Sequence, residues 1–260
     1  MELTGQAAIV TGGESGIGRA CALALAAAGA SVTLTCYADE AAGGSVVSAI
    51  EGQGGRALAH RCDVGSEPDV EALFTAAEAA FGPVTLLVNS AGLNMSGVPI
   101  EAMDLALFDR VIKADLYGPF LTCRRFVRGL IANPAPTANP RIVNISSIHE
   151  RAPRPGGADY DSAKGGLAQL TATLALELAP RRIAVNAVAP GMILTPMNQS
   201  VIDAPAVLAA HEAAIPWGRA GTADEVAEAV LFLLSPRAGY ITGTTITIDG
   251  ALSLTVAQGA

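Results

Sequence analysis

Apolar-rich runs of four to seven residues, each followed by a helical pattern, constrain this chain more than any other feature. They fall at residues 7–11, 31–36, 57–61, 86–89, 141–145, 183–188 and 245–248. A strand with one wet face alternates apolar and polar side chains. Runs such as Leu86-Leu87-Val88 do not alternate, which requires cover on both faces and therefore a parallel sheet between two helix layers. Seven strands alternating with helices predict one α/β domain over residues 1–260. It is a doubly wound, Rossmann-type domain with a seven-stranded parallel sheet flanked by helices and right-handed crossovers.

Prolines divide the remainder. Pro134, Pro136 and Pro140 admit neither a helix nor a central strand, so residues 132–140 read as a surface loop. Residues 192–217 carry Pro196, Pro205 and Pro216 between a strand end and the next helix, the expected place of a mobile substrate lid. The Ala-rich residues 20–30 would span only about 16 Å as a helix, roughly half a bilayer core, and read as a buried helix.

Composition narrows the partners. The chain is 51% apolar and 15% charged, enough for a large core. Its net charge of −8 excludes a phosphate-binding nucleic-acid surface, which needs clustered Lys and Arg. Cys21, Cys36, Cys62 and Cys123 are scattered without zinc-ligand spacing, so free thiols and no metal are expected. The first residues lack a basic region and a long apolar run, and no segment gives 18 uninterrupted apolar residues. These features read as no membrane partner and a cytoplasmic location.

Two motifs carry chemistry. The first strand runs into Thr11-Gly12-Gly13-Glu14-Ser15-Gly16-Ile17-Gly18-Arg19 and then a helix. Glycines there allow a sharp turn and close approach to a pyrophosphate, and free amides at a helix N-terminus receive its charge. Further on, Tyr160 and Lys164 lie four apart at the start of helix 160–178, hence on one face. A nearby ammonium favours phenolate, so a tyrosine so placed can exchange a proton with substrate. Only two lysines exist, Lys113 and Lys164. Ser147 ends the strand at 142–145, on the carboxyl edge where open α/β sheets place ligands. Its hydroxyl can donate to an oxygen on which charge develops, while Ser146 points the other way.

Together these motifs resemble the short-chain dehydrogenase/reductase family, over nearly the whole chain. Thr11 to Gly18 match T-G-x-x-x-G-x-G, and Asn89-Ser90-Ala91-Gly92 is similar to N-N-A-G. Asp63-Val64 looks like the adenine-contacting pair, and Pro190-Gly191-Met192-Ile193-Leu194-Thr195 resembles P-G-x-x-x-T. The resemblance implies an NAD(P)-dependent oxidoreductase acting on a small alcohol or ketone, with Ser147, Tyr160 and Lys164 as its catalytic set. It implies cofactor contacts from Gly12, Ser15, Gly16, Ile17, Gly18, Cys36, Tyr37, Asp63, Val64, Asn89, Ala91, Gly92, Tyr160, Lys164, Pro190, Gly191, Ile193 and Thr195. The fourth catalytic position, an Asn in N-L-x-G, is here Asp115 in Asp115-Leu116-Tyr117-Gly118. That carboxylate would support Lys164 as a cation yet oppose phenolate formation.

Cys36 stands where an acid would accept the ribose hydroxyls of NAD, or a basic residue the 2′-phosphate of NADP. Tyr37 and Ala38 add no positive charge, Glu14 and Asp39 would repel a phosphate if close, and Arg19 alone could approach it. The balance leans to NAD. The segment from Ser147 to Pro155 is similar to S-S-V-H-E-x-x-P-x-P of bacterial glucose 1-dehydrogenases within the family. This implies a polar pocket of Asn94, His149 and Glu150 beside Ser147, Tyr160 and Met192, suited to a sugar or polyol. The lid's Met192, Ile193, Leu194, Met197, Val201, Ile202, Val207 and Leu208 suit an apolar or acyl ketone instead. A non-catalytic dinucleotide-binding redox sensor is the third reading. By resemblance the chain forms a homotetramer through helices 104–130 and 160–178, with the tail 251–260 docking on a neighbouring subunit.

Overall fold

A computed structural model describes residues 2–94, 96–133 and 139–257. Most of the proline run and the last residues of the tail lie outside them. All seven expected strands form: β1 Ala7–Val10, β2 Ser31–Cys36, β3 Arg56–Arg61, β4 Val84–Asn89, β5 Arg141–Ile145, β6 Ala184–Pro190 and, at the far edge, Thr245–Ile248. A two-residue pair, β7 Ile193–Leu194 and β8 Gly221–Thr222, precedes that edge strand, which is therefore β9. The main sheet is parallel throughout, in the order β3-β2-β1-β4-β5-β6-β9. The order reverses between β1 and β4, so a crevice opens at their carboxyl ends.

Burial on both faces explains the missing alternation. On β4, Leu86 and Val88 point into one cluster with Leu25 of α1 (Gly16–Ala27), Ile50 of α2 (Glu40–Glu51) and Val230 of α9 (Ala223–Leu234). Leu87 points into the other, with Phe74 of α3 (Glu67–Phe81), Phe126 of α5 (Gly118–Ala132) and Leu178 of α6 (Ala158–Leu178). The Ala-rich residues 20–30 are the inner part of α1 and its exit. No helix among the described residues is long and apolar enough to cross a membrane.

One segment departs from the sequence reading, and the expected lid takes a definite form. The expected helix 104–130 is α4 (Leu105–Ile112), a π turn over Lys113–Tyr117, and α5. Pro119, just past the π turn, has no N–H for the carbonyl of Asp115, which loosens the regular ladder there. Residues 192–217 are not plain loop. They carry α7 (Gln199–Ile202) and α8 (Pro205–Ala213), with no buried residue in either. Pairing of Ile193 with Gly221 and of Leu194 with Thr222 ties both ends of this excursion to one base.

Candidate active site

The glycine-rich turn sits on β2 because its glycines leave no room for side chains. A Cβ on Gly18 would lie 2.1 Å from the Gly12 carbonyl oxygen, one on Gly12 2.8 Å from Ala91 Cα, and one on Gly13 2.6 Å from Leu34 Cβ. Gly12 and Gly16 also have positive φ, of 64° and 52°, which glycine adopts without penalty. The turn is pinned by threonines: Gly12 N donates to Thr35 Oγ1 (2.9 Å), while Ser90 N and Ala91 N donate to Thr11 Oγ1 (3.0 Å each). Helix α1 starts at Gly16 with no side-chain cap on Ser15 and no acid in its first turn. Its leading amides therefore suit an external anion, and the residues present fit a dinucleotide pyrophosphate. Thr195 meets the same turn, its Cβ 3.4 Å from where a Cβ on Gly16 would lie.

Other expected contacts surround the crevice. Asn89 is buried, its amide donating to Asn144 Oδ1 (2.8 Å) and accepting from Thr122 Oγ1 (2.7 Å), so its side chain braces β4 against β5 and α5. Asp63 Oδ1 accepts from Gly65 N (2.9 Å), and Val64 packs where a Cβ on Gly118 would lie 2.7 Å away. Gly191 lies against Asp249, 2.7 Å from its Cβ by the same measure. Cys36 is buried while Tyr37 is 60% exposed.

Helix α6 presents the second constellation. Lys164 Nζ lies 3.1 Å from Asp115 Oδ2, donates to the Ile145 carbonyl (3.1 Å), and sits 5.3 Å from the centroid of the Tyr160 ring. Both charged side chains are enclosed, at 6% and 0% exposure. Asp115 Oδ1 accepts from Leu93 N (2.7 Å), so the π turn delivers a carboxylate that spans the β4 exit and α6. Burial pushes the Asp115 carboxyl above its ordinary range, against the pull of Lys164. Burial alone would push Lys164 down, but the charges of Asp115 and Tyr160 outweigh it and hold the ammonium above its usual value. The cation is the state we assign to Lys164, since a charge so enclosed persists only when paired.

Ser147 caps the short 3-10 turn Ile148–Glu150, its Oγ accepting from His149 N (3.2 Å). Ser146 Oγ donates to Glu150 Oε2 (2.7 Å), and the Glu150 side chain is 2% exposed. His149 Nδ1 lies 2.7 Å from the Ala152 carbonyl, and its ring meets that of Tyr160 edge-on, 6.2 Å between centroids. A carbonyl only accepts, so Nδ1 carries the hydrogen and Nε2 of the neutral ring is an acceptor. Asn94 is exposed and Met192 half-buried. Asp159, absent from the sequence reading, accepts from Ser96 N (3.2 Å) and Tyr160 N (2.8 Å), fixing Ser96 to the start of α6. The Ile145 carbonyl was equally illegible, because every residue carries one.

A family model described as enoyl-(acyl carrier protein) reductase matches residues 12–253. Among similar proteins, 3beta-hydroxysteroid dehydrogenase 1 of Eggerthella lenta is 40% identical over 253 residues, 97% of this chain and 95% of that one. Glucose 1-dehydrogenase 2 of Bacillus subtilis is 34% identical over 260 residues, 99% and 98% of the two. The crystal structure of 3-ketoacyl-(acyl-carrier-protein) reductase from Brucella melitensis complexed with NADH superimposes with a TM-score of 0.88 at 34% identity, over 96% of this chain and 99% of that one. With relatives matching end to end and the glycine turn set at the sheet's switch point, this chain belongs to the short-chain dehydrogenase/reductase family and is an NAD(P)-dependent oxidoreductase.

Proposed function

We propose that the protein interconverts a small secondary alcohol and its ketone, with Tyr160 as the proton-transferring group. The observation that carries this is the enclosed Lys164 ammonium, held by Asp115 and the Ile145 carbonyl at 5.3 Å from the centroid of the Tyr160 ring. An ammonium so close stabilises negative charge on the Tyr160 oxygen, which takes a proton from the alcohol or returns it to the ketone. Ser147 donates its hydroxyl hydrogen to the substrate oxygen as charge develops. The nicotinamide, when bound, supplies or accepts the hydride. Thr195, the unfilled amides of α1 and the glycine turn hold and orient the dinucleotide.

For the substrate, the acceptor face of His149 favours a molecule with a hydroxyl beside the reacting carbon, as in a sugar or polyol. Glu150 enters as the group that fixes this turn through Ser146. The relative named glucose 1-dehydrogenase 2 supports that reading. A second reading, an apolar ketone or hydroxysteroid, is favoured by the exposed lid side chains Leu194, Met197 and Val207 and by the hydroxysteroid dehydrogenase relative. The cofactor reading is NAD. The assembly is a homotetramer that covers Leu105, Phe120, Ile131 and Leu176, all exposed on α4, α5 and α6.

The test is a panel of glucose, gluconate, 3β-hydroxysteroids and simple ketones, read by near-ultraviolet absorbance of the reduced nicotinamide. Glucose or gluconate turnover upholds the polyol reading, and steroid or ketone turnover alone upholds the second. A Tyr160→Phe variant should bind dinucleotide and lose at least about a hundredfold in turnover. A redox sensor would keep its cofactor-dependent behaviour in that variant, and the enzyme reading would then fall.

A further inference from the structure

The second strand ends at Cys36 without an acid, yet one carboxylate does reach that place, from the first turn. Gly13 lets the turn lie directly on Leu34, and Gly13 N donates to the Thr35 carbonyl (3.0 Å). The next residue, Glu14, is thereby carried to the end of β2, where its Oε1 accepts from Tyr37 N (3.3 Å). Its other oxygen, Oε2, is buried with no hydrogen-bond partner. A buried carboxylate oxygen without a donor carries a desolvation cost that an arriving hydroxyl would remove.

We propose that Glu14 is the specificity-determining residue of the adenosine ribose site, its Oε2 accepting a ribose hydroxyl of NAD and its charge excluding the 2′-phosphate of NADP. The assignment rests on the reading that the glycine turn binds a nicotinamide dinucleotide. Neighbouring charges act in the same direction. Glu14, Glu40 and Asp39 all disfavour a thiolate on Cys36, after burial the main causes that raise its pKa. Arg61, the residue of β3 paired with Cys36, has Glu40 at 4.0 Å. Arg19 is exposed on the first turn of α1. A 2′-phosphate would thus meet the Glu14 carboxylate at the end of β2, just before the acids Asp39 and Glu40 that open α2, whereas a hydroxyl supplies the donor that Oε2 lacks.

Dissociation constants of NADH and NADPH, measured by calorimetry on the protein without substrate, test this. The native protein should bind NADH about tenfold or more tighter than NADPH. Glu14→Ala should weaken NADH about tenfold without weakening NADPH. Glu14→Gln, nearly the same shape, keeps its oxygen for Tyr37 N and offers its NH2 to the ribose hydroxyl, so it should keep NADH within about threefold and tighten NADPH, with an unchanged melting curve. Native binding of NADPH as tight as NADH, or variants that leave both constants unmoved, overturns the assignment alone. Failure to bind either dinucleotide overturns the assignment together with the reading beneath it.

Discussion

Asp115 is the residue whose chemistry is least ordinary, because its carboxyl lies 3.1 Å from Lys164 Nζ with both side chains enclosed. Burial works to lower Lys164, and Asp115 with Tyr160 reverses that and raises it. A raised lysine keeps its proton through neutral pH and loses it only as pH rises through the folded value. Replacing Asp115 by Asn removes the largest raising charge and leaves the burial. The alkaline limb of kcat/KM should therefore move to lower pH, measured across a pH series of alcohol oxidation. An unmoved limb would mean that another group sets it. Gly18 provides the steric counterpart. An alanine there would place Cβ 2.1 Å from a backbone oxygen, so Gly18→Ala should cost about 3 kcal/mol in urea unfolding and abolish dinucleotide binding.

Among the helices, α9 has the most complete N-terminus. Thr222 accepts from Glu225 N (3.3 Å), while Glu225 Oε2 accepts from Thr222 N (2.9 Å), a reciprocal capping box. Thr222→Ala should cost about 1 kcal/mol, read from the urea midpoint at unchanged slope. The Arg219 guanidinium, followed by the Thr222 amide, holds Glu225 down at about 2, well below the ordinary 4.5. Its contribution is thus complete above the ordinary value and is lost as pH falls towards about 2. A Glu225→Gln variant should lose stability against the native protein near neutrality and converge with it in strong acid. Helix α1 has no side-chain cap at its N-terminus, consistent with amides kept for an anion. The π turn between α4 and α5 was the element least legible in advance, since helical periodicity scarcely registers one extra residue in a turn.

At the scale of the whole molecule, the apolar side chains left exposed on α4, α5 and α6, with Leu176 at 81%, predict a homotetramer in native mass measurement. Phe120→Glu should reduce its mass without unfolding the protomer, and a monomeric native protein would refute this. The strands, the buried α1 and the glycine turn were readable from the sequence because each is a local pattern, set by backbone periodicity and by which residues can bury. The pairing of Tyr160 with Lys164 was readable for the same reason, both lying one turn apart on α6. The meeting of Glu14 with Tyr37, of Asp115 with Lys164 and of Asp159 with Ser96 was not. Those contacts join segments far apart in the chain. They exist because β1 pairs in parallel with β2 and β4 with β5, so that the segments following each strand of a pair meet at one edge of the sheet. The sequence by itself determined the layers and the types of reactive group. Tertiary structure decided which charges face one another, because an electrostatic partner is chosen by distance in space, and the sheet topology sets that distance.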